Sequence, residues 1–406
     1  MRGPGRSTVG ASGAVAAEGM AAATSMALQV AAARTLGAAG YGSFTILLGT
    51  IVLLVALHGG WVGDTRMVLD RSAPVLRGAL RATSYGLALG GGALAAVGAL
   101  ALGVVDGGGA ALFFVLCVLW VIEDGGRRLF MARLEFWRCV ANDVVYGVVT
   151  LGSLAAIAAA PGSLGLNGFL AAMAFGAAAA VVAARIQLPS EEWAGGPVSA
   201  AGLREVAGFG AWRAGQAGIR PLATVVLRTL VRALASAAAL GRLEAARLAL
   251  APMLIVTSGV GSFLLPHYAR RLRASSEVEP LARPAAGLAF VVLAYTGAAV
   301  ALAPQLSGLL TGHEVALDRV AVAGWGLFGA AFAVGIPAGT WVLARGRSAV
   351  VFRLRALDSG LGLLVAVPLI VVSASLAPYG LAVGATVGAL LLWLRARAER
   401  SAVVAA

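Results

Sequence analysis

The chain has 406 residues, 60% hydrophobic and 12% charged, with a mean hydropathy of +0.90. So little polar surface excludes a soluble protein of this length and calls for lipid as solvent. All 31 basic side chains are arginines, and the net charge of +13 is spread in short clusters between apolar runs. No basic domain and no run of aromatics among basic residues is present, which excludes a nucleic-acid binder.

Met1, Arg2 and Arg6 followed by an apolar run imitate a signal peptide. That run leads directly into further spans and reads as an uncleaved first helix. Apolar runs then predict about twelve spans and an all-α, polytopic membrane protein. The first six fall near 9–33, 41–63, 82–105, 109–126, 140–160 and 165–185. The second six fall near 205–231, 238–265, 284–304, 317–341, 348–373 and 379–394. Between spans one and two lies a glycine-punctuated turn, Arg34 to Phe44, suited to an antiparallel hairpin.

Alternate loops carry the arginines: Arg66, Arg71, Arg77 and Arg81 after span two; Arg127, Arg128, Arg133 and Arg138 after span four; Arg345, Arg347, Arg353 and Arg355 after span ten. The opposite loops, such as Asp106–Gly109, Pro161–Ser163 and Ala377–Gly380, are short and lack arginine. The positive-inside rule therefore places both termini in the cytoplasm and the first hairpin on the outer face. A polar segment from Gln187 to Ala201 divides the chain into two six-helix lobes, 1–195 and 196–406. Leu240-Gly241 stands at the seventh-to-eighth join about where Leu36-Gly37 stands at the first, as parallel repeats would have it.

Ionisable residues inside spans are the sharpest functional signal, since each costs about 2.5–3.5 kcal/mol at mid-bilayer. Span seven carries Arg213, Gln216 and Arg220, which steps of three and four put on one helix face. That face reads as a substrate-binding wall in which guanidinium forks hold phosphate oxygens. Glu18 and Gln29 on span one and Asp358 on span eleven are candidate counter-ion or coupling groups, with a structural role the alternative for Glu18 and capping or interhelical bonding the alternative for Asp358. Glu18 and Arg213 lie at similar depths in their spans, so symmetric packing of the halves would let Glu18 meet Arg213. Arg228 and Arg232 read as residues snorkelling to the outer interface. Glu123-Asp124 beside Arg127-Arg128 reads as a charged helix end, Asn142 and Asp143 as the start of span five, and Glu191 and Glu192 as solvated linker. His58, His267 and His313 read as interface residues with no carboxylate–histidine arrangement around them. Cys117 and Cys139 have no metal spacing and suggest no disulfide. No P-loop is present, and neither cofactor, metal nor enzymatic activity is expected.

Arg34-x-Leu36-Gly37-x-x-x-Tyr41-Gly42-x-Phe44 resembles the opening signature of the bacterial oligosaccharide and polysaccharide flippases. These belong to the multidrug, oligosaccharidyl-lipid and polysaccharide exporter (MOP) superfamily. Leu240-Gly241 through Ala246, Pro252 and Leu265-Pro266 are similar to that family's eighth helix, although the family's tyrosine near Leu243 or Glu244 is missing. The resemblance implies two six-helix bundles in a V around a central cavity, in the bacterial inner membrane. It further implies alternating access and a cargo of oligosaccharide on undecaprenyl diphosphate, with membrane lipids and glycosyltransferases or a polymerase of the same pathway as partners. In that reading the motif residues are structural. A cation-coupled drug or metabolite antiporter of the same superfamily is the alternative, and the arginine face argues against it. A polysaccharide polymerase or ligase would need a large outer loop, and a non-transporting scaffold would tolerate loss of Arg213 and Arg220.

Overall fold

A computed structural model describes residues 4–68, 73–160, 164–193, 196–273 and 281–404. The described residues form seventeen α-helices and no strand. In order they are α1 (Pro4–Thr35), α2 (Gly37–His58), α3 (Asp64–Val68), α4 (Pro74–Gly86), α5 (Gly92–Ala101) and α6 (Gly107–Ala132). Then come α7 (Phe136–Ala159), α8 (Leu166–Gln187), the single-turn α9 (Ser190–Trp193), α10 (Ala200–Leu234), α11 (Ala237–Ala249) and α12 (Ala251–Arg273). The series ends with α13 (Ala282–Ala301), α14 (Ala303–Thr311), α15 (Arg319–Ala344), α16 (Ser348–Val372) and α17 (Ala377–Val404). A π-helical turn at Gly59–Gly63 joins α2 to α3, and another at Leu87–Gly91 joins α4 to α5. Read as continuous columns, the described helices make twelve long ones besides α9.

Local chemistry explains where the helices stop. Gly37 and Gly312 take left-handed φ values of 62° and 61°, which a residue with a Cβ resists. Pro252 and Pro304 sit in the first turns of α12 and α14, where a missing N–H costs nothing but the preceding helix cannot continue. Asp106, Ser236 and Asp318 cap α6, α11 and α15, their side chains accepting from Gly109, Ala239 and Val320.

Among the described residues, nine helical stretches are long and apolar enough to cross a membrane, and the chain is a multi-pass membrane protein. The columns that fall short are α1, α10 and α11–α12. They carry Glu18, the α10 arginines, and Glu244 with Arg247, the groups that depress hydropathy.

The helices form two compact bundles. Unit 1 comprises Met1–Leu36 and Ser43–Val225; unit 2 comprises Gly37–Gly42 and Val226–Ala406. The division therefore falls inside α10, not at the polar segment near 195 where the sequence suggested it. The reason is close packing of α10 on the π-helical turn of unit 1. A Cβ on Gly60 would lie 2.7 Å from the Ala214 backbone, and one on Gly210 would overlap the Trp61 carbonyl. Unit 1 also holds an edge-on Phe44–Phe169 pair, ring centroids 5.5 Å apart, both rings buried.

Unit 2 is centred on α15, α16 and α17. Tyr268 meets Trp341 edge-on there, and Trp393 donates its indole N–H to the Val334 carbonyl at 3.0 Å. The first turn of α2 belongs to this unit because it docks on α11: a Cβ on Gly241 would overlap the Ala38 carbonyl, and one on Gly42 the Ala237 carbonyl. The two sequence stretches that carried the resemblance thus pack on one another. The side chains of Leu265 and Pro266, and the Pro161–Ser163 loop, lie outside the described residues.

Candidate functional site

On α10, the helix period brings Arg213, Gln216 and Arg220 to one face as expected. Arg213 Nε and Nη2 donate to Asp64 Oδ2 at 2.9 and 2.6 Å, and Nη1 donates to Gln216 Oε1 at 3.1 Å. The carboxylate of this pair is Asp64, not Glu18. Asp64 opens α3 immediately after the π-helical turn, whose extra residue aims the new helix start at α10. The Arg213 side chain is still 46% exposed, so it is oriented without being enclosed. Arg220 is half-buried one to two turns further on, beside Pro221, through which α10 continues.

Unit 1 has a second polar site that the sequence did not suggest. Glu123 and Asp124 are buried inside α6, well before its end at Ala132, and do not form a charged helix terminus. Glu123 accepts from Asn142 Nδ2 at 3.2 Å, and Arg127 holds Asp143 through Nε at 2.9 Å and Nη2 at 3.2 Å. Glu123, Arg127, Asp143, Tyr146, Trp120 and Ser25 line a cavity of about 110 Å³. The lining holds two carboxylates against one guanidinium, an excess of acid over base. Glu18, exposed on α1, interacts electrostatically with Arg127 and Asp143 and belongs with this group. Gln29 spends its amide locally, on the Ser25 carbonyl and hydroxyl at 3.3 Å each.

Directly behind this cavity, His58 is completely buried at the end of α2 and is no interface residue. Its Nδ1 lies 2.8 Å from Asp124 Oδ2 and its Nε2 2.9 Å from Ser84 Oγ. A carboxylate–histidine pair is therefore present, assembled from helices too far apart in sequence for spacing to reveal it. Arg128 Nε reaches the other Asp124 oxygen at 3.4 Å. Glu192 is no free linker residue either: Arg133 Nη1 donates to it at 3.2 Å.

In unit 2, Arg228 is 3% exposed and does not snorkel. It forks onto Glu244, Nε to Oε1 at 3.0 Å and Nη2 to Oε2 at 2.7 Å. Arg247 Nε adds a third bond to Glu244 Oε2 at 2.7 Å. Tyr41, fully buried, stands within electrostatic range of all three. The opening motif therefore abuts a buried ion cluster. Glu244 occupies the region where the resembled family carries a tyrosine, and it receives Arg228. Asp358 is buried in α16 with Arg355 Nη1 at 3.1 Å and Ser359 Oγ at 3.0 Å, and it packs on Gly388 of α17.

His267 stacks on Phe263 at 5.6 Å, and Cys117 and Cys139 are buried free thiols. Among the described residues no group of three or more His, Cys, Asp and Glu side chains is placed to hold a metal. The residues that sequence reading missed are Asp64, Asp124 as the partner of His58, and Glu244 as the partner of Arg228. Only Glu244 left a signal, as an acid among apolar residues four positions after Leu240.

No protein-family model and no curated protein matches the chain. Solved structures do. One is a multidrug resistance MATE family transporter of the MOP superfamily, in its inward-facing conformation: TM-score 0.64, 15% identity, 93% of this chain and 94% of that one covered. An outward-facing structure of such a transporter matches at TM-score 0.64 and 14% identity, covering 96% and 94%. A MOP superfamily transporter from Pyrococcus furiosus, described by a reversed polarity of its binding pocket, matches at TM-score 0.63 and 13% identity, covering 96% and 94%. The fold is that of the MOP superfamily transporters.

Proposed function

We propose that the chain is a transporter working by alternating access, whose cargo is an oligosaccharide on undecaprenyl diphosphate moved from the inner to the outer leaflet for cell-surface polysaccharide synthesis. The observation that carries this reading is the α10 face, where Arg213 is held by Asp64 yet half-exposed, with Gln216 and Arg220 beside it. A guanidinium already oriented by one carboxylate can exchange that partner for a diphosphate oxygen with little ordering cost. The resemblance of Arg34–Phe44 to the flippase signature supports the same cargo class, and the MOP fold supports a transporter without choosing its cargo. The related transporter with a pocket of reversed polarity supports the view that this fold accommodates more than one sign of charge. In bacteria the site of action is the inner membrane, with both termini cytoplasmic. Enzymes of the same glycan pathway supply and consume the cargo.

The second reading, a cation-coupled drug or metabolite antiporter, draws on the Glu123–Arg127–Asp143 cavity and its excess of acid. The two readings separate in proteoliposomes. A fluorescent lipid-linked diphosphate oligosaccharide should become accessible in the outer leaflet at a rate that Arg220→Ala lowers at least about tenfold. Extrusion of a cationic dye down a proton gradient, with no movement of the lipid-linked sugar, would replace the first reading by the second.

A further inference from the structure

The buried Asp124–His58–Ser84 chain leads to a cavity that transport along the α10 face does not use. Ser84, besides its bond to His58, lines a cavity of about 60 Å³ with Arg66, Arg77, Arg81, Tyr85 and Trp193. At 10–15 Å³ per enclosed water, that is room for roughly four waters, or one tetrahedral oxyanion in their place. Its lining carries three guanidiniums and one carboxylate, Glu192, which Arg133 also engages. The guanidiniums are anchored by backbone carbonyls: Arg66 on Gly125 at 3.4 Å, Arg77 on Glu191 at 3.2 Å, Arg81 on Trp193 at 3.1 Å. Arg81 also lies over the Tyr85 ring at 5.5 Å. Their positions are thus fixed in advance, at the arginine-rich end of the helices where headgroups or water would meet them.

From this geometry we infer that the cavity is an oxyanion site, taking a phosphodiester headgroup or a soluble oxyanion, and that filling it is linked to proton uptake by His58. The link follows from the hydrogen-bond chain. With a neutral imidazole, Nδ1–H donates to Asp124 and Nε2 accepts the Ser84 hydroxyl proton, so Ser84 turns lone pairs toward the cavity. With an imidazolium, Nε2–H donates to Ser84 Oγ, and the hydroxyl proton is released to donate to an anion. An anion therefore favours the protonated state, both by that bond and by its charge.

The charged groups that face His58 are Asp124 and Arg128 on α6, and Arg66 on α3. Arg127 adds its field through Asp124. On α4 the groups are Ser84 and the cavity arginines Arg77 and Arg81, and α10 brings Arg213 already bound to Asp64. Arg127 and Arg213 are matched by Asp143 and Asp64, but in the cavity itself Arg66, Arg77 and Arg81 face one carboxylate, Glu192, so an anion there supplies the missing countercharge.

Sulfate is the decisive probe, because it does not titrate between pH 6 and pH 8. Calorimetric titration of the purified full chain should show saturable sulfate binding that tightens as pH falls, by up to about tenfold per pH unit for one linked proton. Arg81→Gln, at an exposed position, should weaken binding at least about tenfold. Ser84→Ala should retain binding but flatten its pH dependence. Retention of phosphatidylglycerol over phosphatidylcholine, after reconstitution in mixed vesicles and extraction, assigns the site to a lipid headgroup. Sulfate binding without that preference assigns it to a soluble oxyanion. Absence of both in the wild-type chain overturns the site, as does sulfate binding indifferent to Arg81→Gln. A pH dependence unchanged in Ser84→Ala overturns the proton link. None of these readouts depends on which cargo the transporter moves.

Discussion

Glu244 and Arg213 show how differently a carboxylate–arginine pair behaves with and without burial. Glu244 is 1% exposed and receives three guanidinium bonds from Arg228 and Arg247. Removing the acid takes both carboxylate oxygens from buried Arg228, so Glu244→Ala should cost roughly 3–5 kcal/mol of stability, read as a lowered unfolding midpoint in detergent. The double variant Arg228→Met, Glu244→Leu should recover part of that loss, because the buried guanidinium of Arg228 goes with its carboxylate and only Arg247, a quarter exposed, loses its partner. A double variant as unstable as the single one would show that packing, not charge, sets the cost. Arg213 is half-exposed, and an exposed pair contributes only about 0–1 kcal/mol. Arg213→Ala should therefore leave the unfolding midpoint nearly unchanged while transport falls at least about tenfold. Comparable losses of stability and transport would assign Arg213 a scaffolding role.

At the scale of helices, the hydropathy pattern made the columns legible because a span needs about 20 apolar residues wherever it packs. The same pattern was silent about partners. Arg213 was visible as a costly intramembrane charge, but Asp64 lies 149 positions away and becomes its neighbour only through the π-helical turn at Gly59–Gly63. His58 looked isolated for the same reason, with Ser84 and Asp124 arriving from two other columns. Small residues carried contact information that composition hides among so many glycines. Gly241 is the clearest case, since a methyl group there would overlap the Ala38 backbone and push α2 off α11. Gly241→Ala should sharply reduce the yield of folded protein by size-exclusion profile. Gly98→Ala, where a Cβ on α5 meets open space, should be neutral or stabilising by up to about 1 kcal/mol. Equal behaviour of the two variants would mean that the α2–α11 approach relaxes at no cost.

Over the whole molecule, the proposed transport raises the question of what would make it directional. An inside-negative potential favours moving the proposed anionic head outward by about 2.3 kcal/mol per charge per 100 mV, so a two-charge cargo would have a source of drive without any coupled ion. The cavity between α1, α2, α6 and α7 suggests a different source. Its two carboxylates share one guanidinium, and Asn142, a neutral donor, holds Glu123 where a second cation would otherwise be needed. Coupling through this cavity would require its lining to take up and release one proton, or one cation, during the transport cycle. Glu123→Gln keeps the bond to Asn142 within reach and removes the charge. If the cavity couples transport to protons, wild-type proteoliposomes should accelerate with an imposed pH gradient, and the Glu123→Gln protein should run at one rate with or without it. If the membrane potential alone drives the cargo, both proteins should respond to a potassium–valinomycin potential and neither to the pH gradient. A wild-type response to pH that survives Glu123→Gln would move the coupling group to another acid of the same cluster, and Asp143→Asn is the next substitution to measure.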